Sequence, residues 1–242
     1  MRKLSASRGL IEDLVAASRV LAMHEVLDAY GHVSARSDRK PERFIMSRSL
    51  APALVSAGDL MELDADSEPL RDKRKGFIER YIHGEIYRAR PEVMAVVHSH
   101  SASVIPFGVS RTKLRPVYHM GSFLWSGAPV FEIRNIRESN DLLVRDRPLG
   151  QALAGSLGKC TCVLMRGHGM TVVGESVPEA VFRAIYTEMN ARLQLQATRL
   201  EGPIEFLSDE EGRRSTASNR GTLERPWELW KKQALSRVPK GR

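Results

Sequence analysis

His98 and His100 stand two residues apart in "AVVHSHSASVIPFG", at the end of an apolar, β-branched run. On a strand, that spacing turns both imidazoles to one face, where they can bind a single ion. With seven histidines among 242 residues, chance produces such pairs readily, so the spacing alone is a weak motif. "MRGHGM" strengthens it. There His168 sits between two glycines just after an apolar strand, where the backbone can turn tightly and present a side chain at a strand end. Three neutral imidazoles with an open position are how a catalytic divalent ion is held. Glu79, one turn before His83, offers a fourth ligand or a general acid–base. The competing reading is three unrelated histidines packed or hydrogen-bonded in the core.

The elements that must position these residues follow from periodicity and breakers. Residues 8–29 have helical spacing through Leu10, Ile11, Leu14, Val15, Ala17, Leu21 and Leu27, and Gly31 ends the run. "HVSARS" and "FIMSR" read as strands with Pro41 in the turn between them, and "GDLMELDAD" as a further short strand. A helix is expected from Gly76 to Arg90, ended by Pro91. "VMAVVHSHS" follows as a strand whose alternation puts Val96, His98 and His100 on one side. "GAPVFEI" and "CTCVLMRG" are expected strands, and "VPEAVFRAIYTEMNARLQLQATRL" a long helix with Pro178 near its start. After Gly202 the chain turns polar, with Trp227 and Trp230 as packing anchors for an arm or short helices. Helices alternating with a mostly antiparallel set of strands predict an α/β layered fold. One catalytic domain over 1–205 and a C-terminal arm over 206–242 are expected.

Composition narrows the function. A hydrophobic content of 42% and a charged content of 27% are those of an ordinary globular protein. No apolar run reaches the length of a leader or a membrane span, since "IEDLVAASRVLAMHEVLDAY" is interrupted by charges. Cys160 and Cys162, one residue apart in "KCTCVLM", suit neither a disulfide framework nor a zinc knuckle and read as small core side chains. A cytoplasmic location is expected, with neither a membrane nor a nucleic acid as partner. The net charge of +8 is scattered, with part of it in "KKQALSRVPKGR". It forms no aromatic-interleaved stripe, and a basic surface also attracts small anionic substrates.

Taken together, "GHVSAR", the Glu79 segment leading to "RPEVMAVVHSH", and "RGHG" resemble the class II aldolase and adducin-head family from about Leu10 to Leu200. The resemblance implies a three-layer α/β/α fold with a mostly antiparallel central sheet. It also implies a divalent metal ion (Zn, Mn, Fe or Co) on His98, His100 and His168, with Glu79 in the catalytic role. A homotetramer with active sites between subunits is implied as well. Adducin-like members lack the metal histidines and are not enzymes, whereas this chain keeps all three.

Departures from the sugar-phosphate aldolases of that family point to another chemistry. Those enzymes grip a phosphate with small hydroxyl and amide donors. Here the matching stretches read Gly31-His32-Val33-Ser34, "MSRSLAP" and Gly76-Phe77-Ile78-Glu79. His32, Arg48 and the apolar Phe77 and Ile78 replace most of the phosphate donors. An arginine fork suits a carboxylate as well as a phosphate, and apolar neighbours suit a flat ring or a conjugated chain. Ser34, Ser47 and Ser49 remain as candidate substrate contacts. Where aldolases supply a tyrosine from the neighbouring subunit, this chain has His119 beside Tyr118, and histidine can both give and take a proton. Tyr186, with Arg183 on the same helix, is a candidate pocket residue, although an aromatic at helical spacing is more often core.

These features resemble the decarboxylase branch of the family, which acts on dihydroxyphthalate, carboxylated hydroxymuconic semialdehyde or hydroxymethylpyridine dicarboxylate. The expected activity is metal-dependent decarboxylation of a small anionic hydroxy-carboxylate through a metal-stabilised enolate. Glu79 or His119 would be the proton donor, with Arg48 and His32 holding carboxylate. A sugar-phosphate aldolase or epimerase is the alternative.

Overall fold

A computed structural model describes residues 4–236. In chain order its elements are α1 (Arg8–Met23), β1 (His32–Arg36), β2 (Phe44–Ser47), β3 (Leu60–Leu63), α2 (Arg80–Ala89) and β4 (Ala95–Ser99). They continue with α3 (Ile105–Val109), β5 (Val130–Phe131), α4 (Arg147–Leu157), β6 (Cys162–Met165) and β7 (Gly169–Gly174). The described residues close with α5 (Val177–Ala197), α6 (Asp209–Arg220) and α7 (Glu224–Ser236).

The seven strands form one sheet in the order β3-β2-β1-β4-β7-β6-β5, antiparallel except for the β5–β6 pair. Central strands carry apolar residues on both faces because both faces are covered. On β4, Val97 joins the core under α1 and α5, while its neighbour Val96 joins the core under α2 and α4. Val172 and Val173 on β7 divide the same way. This period of two, rather than any single contact, defines three layers: α1 and α5 on one face, the sheet, then α2 and α4 on the other. Each fully buried Val or Leu side chain in these cores contributes about 1.5–3 kcal/mol.

The expected elements differ from the structure at their ends. α1 stops at Met23 instead of running toward Gly31, because Glu25 adopts φ 57° and the amides of Val26 and Leu27 turn back onto the Leu21 carbonyl. α2 begins at Arg80, with Glu79 at the N-cap position and outside the helix proper. The helix α4, capped by the Asp146 side chain on the Leu149 amide, and the strand β7 are additions to the sequence reading. Among the described residues after Gly202 there are two helices, of which α6 packs on the 3₁₀ turn His119–Ser126 and α7 packs on α1. Trp227 and Trp230 are buried in the α1/α5 core. The last part of the expected arm, residues 237–242, lies outside the described residues.

Candidate metal and catalytic site

His98 lies near the end of β4 on the α2-facing side and is fully buried. His100 follows just beyond the strand. His168 is delivered from the turn between β6 and β7, which requires both of its flanking glycines for different reasons. Gly167 adopts φ 66°, a conformation that costs other residues strain. Gly169 lies so close to β4 that a Cβ there would stand 2.0 Å from the Ser99 carbonyl oxygen. Small size at position 169 therefore sets the distance between His168 and His100. Their Nε2 atoms face each other at 3.0 Å.

Glu79 completes the group. One ligand atom from each of Glu79, His98, His100 and His168 lies within 4.8 Å of all the others. Glu79 Oε2 stands 3.5 Å from His98 Nε2 and 3.4 Å from His168 Nε2. Burial pushes its carboxyl pKa up, but the His98 and His168 imidazoles outweigh burial and hold it well below the usual carboxylate range. On His168 burial acts downward, and the Glu79 carboxylate raises its pKa nonetheless. His100 is pushed down to about 4, chiefly by burial and then by the neighbouring His98 and His168.

Whether these residues suit a metal ion can be judged from their second partners. His98 Nδ1–H donates to the Met170 carbonyl at 3.1 Å, and His168 Nδ1–H donates to the Leu142 carbonyl at 2.8 Å. Both bonds fix the tautomer that leaves Nε2 as a bare lone pair. His98 Nε2 is buried and makes no hydrogen bond. An orphaned buried nitrogen beside two further imidazoles and a carboxylate fits a divalent ion.

The other expected site residues fall in different places. His32 is buried next to the cluster, its ring centroid 5.1 Å from that of His98 and 4.5 Å from that of Phe77. Burial, followed by the neighbouring His83 and His98, holds its pKa well below the ordinary imidazole value. Ser34, expected to touch substrate, is fully buried and its hydroxyl is committed to His83 and Tyr87. Ser47 is buried at the end of β2, whereas Ser49 is exposed beyond it, its amide bonded to the Lys75 carbonyl. Arg48 Nε donates to Asp59 Oδ1 at 2.8 Å, so part of its fork is already engaged. His119 is exposed, and its carbonyl accepts from Ser215 and Asn219 of α6.

Tyr186 and Arg183 ride on α5, against the opposite face of the sheet from His98. Tyr186 packs on Phe182 and joins the α1/α5 core, and Arg183 donates to the Val173 carbonyl and to Glu179. Neither lines this chain's cluster. The rotation of α5 about its own axis was not readable from spacing. His83 and Tyr87 of α2, to which the sequence assigns no role in the site, stand behind it. Their partners lie on β1, so nothing local in α2 marks them.

A three-layer α/β/α fold carrying a Glu/His₃ group, with Glu79 and His98 buried and His100 and His168 half-buried, is compatible with a divalent metal site and with more than one activity. Residues 12–195 match the Class II Aldolase and Adducin N-terminal domain, and the chain belongs to that family. It is 39% identical over 244 residues to the decarboxylase TropJ of Talaromyces stipitatus, covering 91% of this chain and 92% of that protein. It is 34% identical over 208 residues to a 3,4-dihydroxyphthalate decarboxylase of Terrabacter sp., covering 82% and 84%. Among solved structures it resembles L-fuculose 1-phosphate aldolase from Glaciozyma antarctica, with a TM-score of 0.76 at 21% identity over 93% of this chain and 88% of that one. No helix among the described residues is long and apolar enough to cross a membrane.

Proposed function

We propose that the chain is a carboxy-lyase that releases carbon dioxide from a hydroxy-substituted aromatic, or ring-opened hydroxymuconate-type, carboxylate. The observation that carries this reading is the convergence of Glu79, His98, His100 and His168 within 4.8 Å. It gains its direction from the two decarboxylases that match along most of their length. A divalent ion on the three imidazoles would supply Lewis-acid stabilisation of the negative charge left when carbon dioxide departs, and Zn, Mn, Fe and Co all suit such donors.

The chain's own residues have three tasks in this scheme. Loss of carbon dioxide leaves an electron pair on carbon, and one proton must replace the carboxylate there. We assign delivery of that proton to Glu79, whose carboxylate adjoins the imidazoles. His32, beside the ring of Phe77, receives an anionic oxygen while Phe77 packs against the flat substrate. Arg48, at the edge of β2, holds a second carboxylate with the part of its fork that Asp59 leaves free. His119 is exposed on its own chain, so its acid–base role belongs to a neighbouring subunit's site in a homotetramer.

Carbon dioxide release is measured with metal-reconstituted protein on a dihydroxyphthalate, a hydroxypyridine dicarboxylate and a carboxylated hydroxymuconic semialdehyde, beside a sugar-phosphate cleavage assay. Metal-dependent release that disappears in His98→Ala is the expected result. Sugar-phosphate cleavage with no release from any acid would replace the proposal with an aldolase.

A further inference from the structure

Behind the site runs a row of four buried polar side chains. His32 Nδ1 lies 2.7 Å from His83 Nε2, His83 Nδ1 lies 2.6 Å from Ser34 Oγ, and Ser34 Oγ lies 2.7 Å from Tyr87 Oη. His32 and Ser34 are two apart on β1, and His83 and Tyr87 are four apart on α2. Two residues of strand advance about 6.6 Å and four of helix about 6 Å, so the two pairs interleave without distortion. None of the four side chains is more than 5% exposed.

The row has a direction, because protons must be shared one to a contact. Among the described residues the Tyr87 hydroxyl has no side-chain acceptor except Ser34 Oγ. With Tyr87 donating, the single Ser34 proton goes to His83 Nδ1. The His83 proton then sits on Nε2 and goes to His32 Nδ1. His32 is left with its only proton on Nε2, for which no described residue is a partner. The opposite order would bury the Tyr87 O–H without an acceptor, which native cores avoid. Burial also disfavours a charge on either ring, and the His83 pKa is pushed down to about 3, mainly by that burial.

We propose that Tyr87, Ser34 and His83 act as positioning residues that lock His32 as the neutral Nε2–H imidazole, making it an obligate hydrogen-bond donor to an anionic oxygen of the substrate. A neutral donor of fixed direction selects an oxygen acceptor and rejects a protonated or amino group at the same place. The choice of acceptor, carboxylate or phenolate, rests on the carboxy-lyase reading. The tautomer does not.

Zinc-loaded protein labelled with ¹⁵N-histidine gives the test, with His32→Gln assigning the His32 ring signals by their loss. The expected spectrum has a proton on His32 Nε2 and none on Nδ1. In Ser34→Ala the lock loses its middle link, and His32 becomes a mixture of tautomers. A wild-type His32 protonated on Nδ1 would overturn the proposal whatever the substrate. If Nε2–H is found but no acid is decarboxylated, the carboxy-lyase reading fails and the lock stands.

A second pair of variants separates direction from mere packing. In His83→Gln the side-chain amide can still donate to His32 Nδ1, whereas His83→Leu cannot. Binding of salicylate as a probe is expected to stay within about threefold of wild type in His83→Gln and to weaken about tenfold or more in His83→Leu, at equal zinc content. Equal weakening in both variants would reduce His83 to a packing residue and sink the lock.

Discussion

The Val144 amide donates to Glu79 Oε1 at 2.9 Å, tying the carboxylate to a loop 65 residues away in sequence. Two residues earlier the same loop supplies the carbonyl that orients His168. One short segment thus aims two members of the cluster. It is braced by Asn140, whose Oδ1 accepts from the Leu142 amide while its Nδ2 donates to the Arg137 and Glu138 carbonyls. Leu142 itself is held at φ 67°, a strained conformation for a bulky residue. Asn140→Ala is expected to lower metal affinity about tenfold, as loss of support behind metal ligands generally does. Competition with a chelator at constant protein concentration measures it, and unchanged affinity would mean the loop is held by other contacts.

Gly169→Ala should damage the site more than the fold. The added methyl meets a main-chain oxygen at 2.0 Å, and backbone cannot swing aside as a flexible side chain can. A destabilisation of about 1–3 kcal/mol follows from overpacking of this kind, together with loss of the ion because His168 moves from His100. Denaturant midpoints and metal content, read on the same samples, check both halves.

Glu79→Gln keeps shape and removes the charge. Turnover is expected to fall about 10²–10⁴-fold, the usual scale for a positioned acid–base. A variant that retains the ion and keeps full turnover would take Glu79 out of the chemistry.

Acid should weaken the fold partly through His83. Its folded pKa, about 3, lies below the ordinary value near 6.5, so the unfolded chain binds the extra proton. The contribution is complete above about pH 6.5 and is lost as the pH falls toward the folded value. Between pH 7.5 and 5 this one group accounts for about 2 kcal/mol. Urea denaturation at pH 7.5 and pH 5 should show a smaller acid loss in His83→Gln than in wild type. An identical loss in both would assign the acid limb to other groups.

His98, His100 and His168 were legible because each carries a local signal, a strand-spaced pair or a glycine-flanked turn. Gly169 illustrates what was half legible: a glycine beside a histidine can be noticed, but only the β4–β7 approach explains why it must be small. His83 and Tyr87 give no signal until β1 is laid beside α2, since their partners lie about 50 residues away. For Tyr186 the helix was readable and its rotational phase was not. That phase is set by which face of the sheet α5 covers, a property of the packed protein.

The pairing of His98 with Thr171 in the β4–β7 ladder has a consequence for folding. A slip of one residue between these strands would turn His98 to the α5 side and carry it away from Glu79. Such a chain could still bury most of its valines, yet it would have no place for an ion. Because an ion stabilises only the state that binds it, a divalent ion held by this cluster would favour the native β4–β7 register over the slipped one.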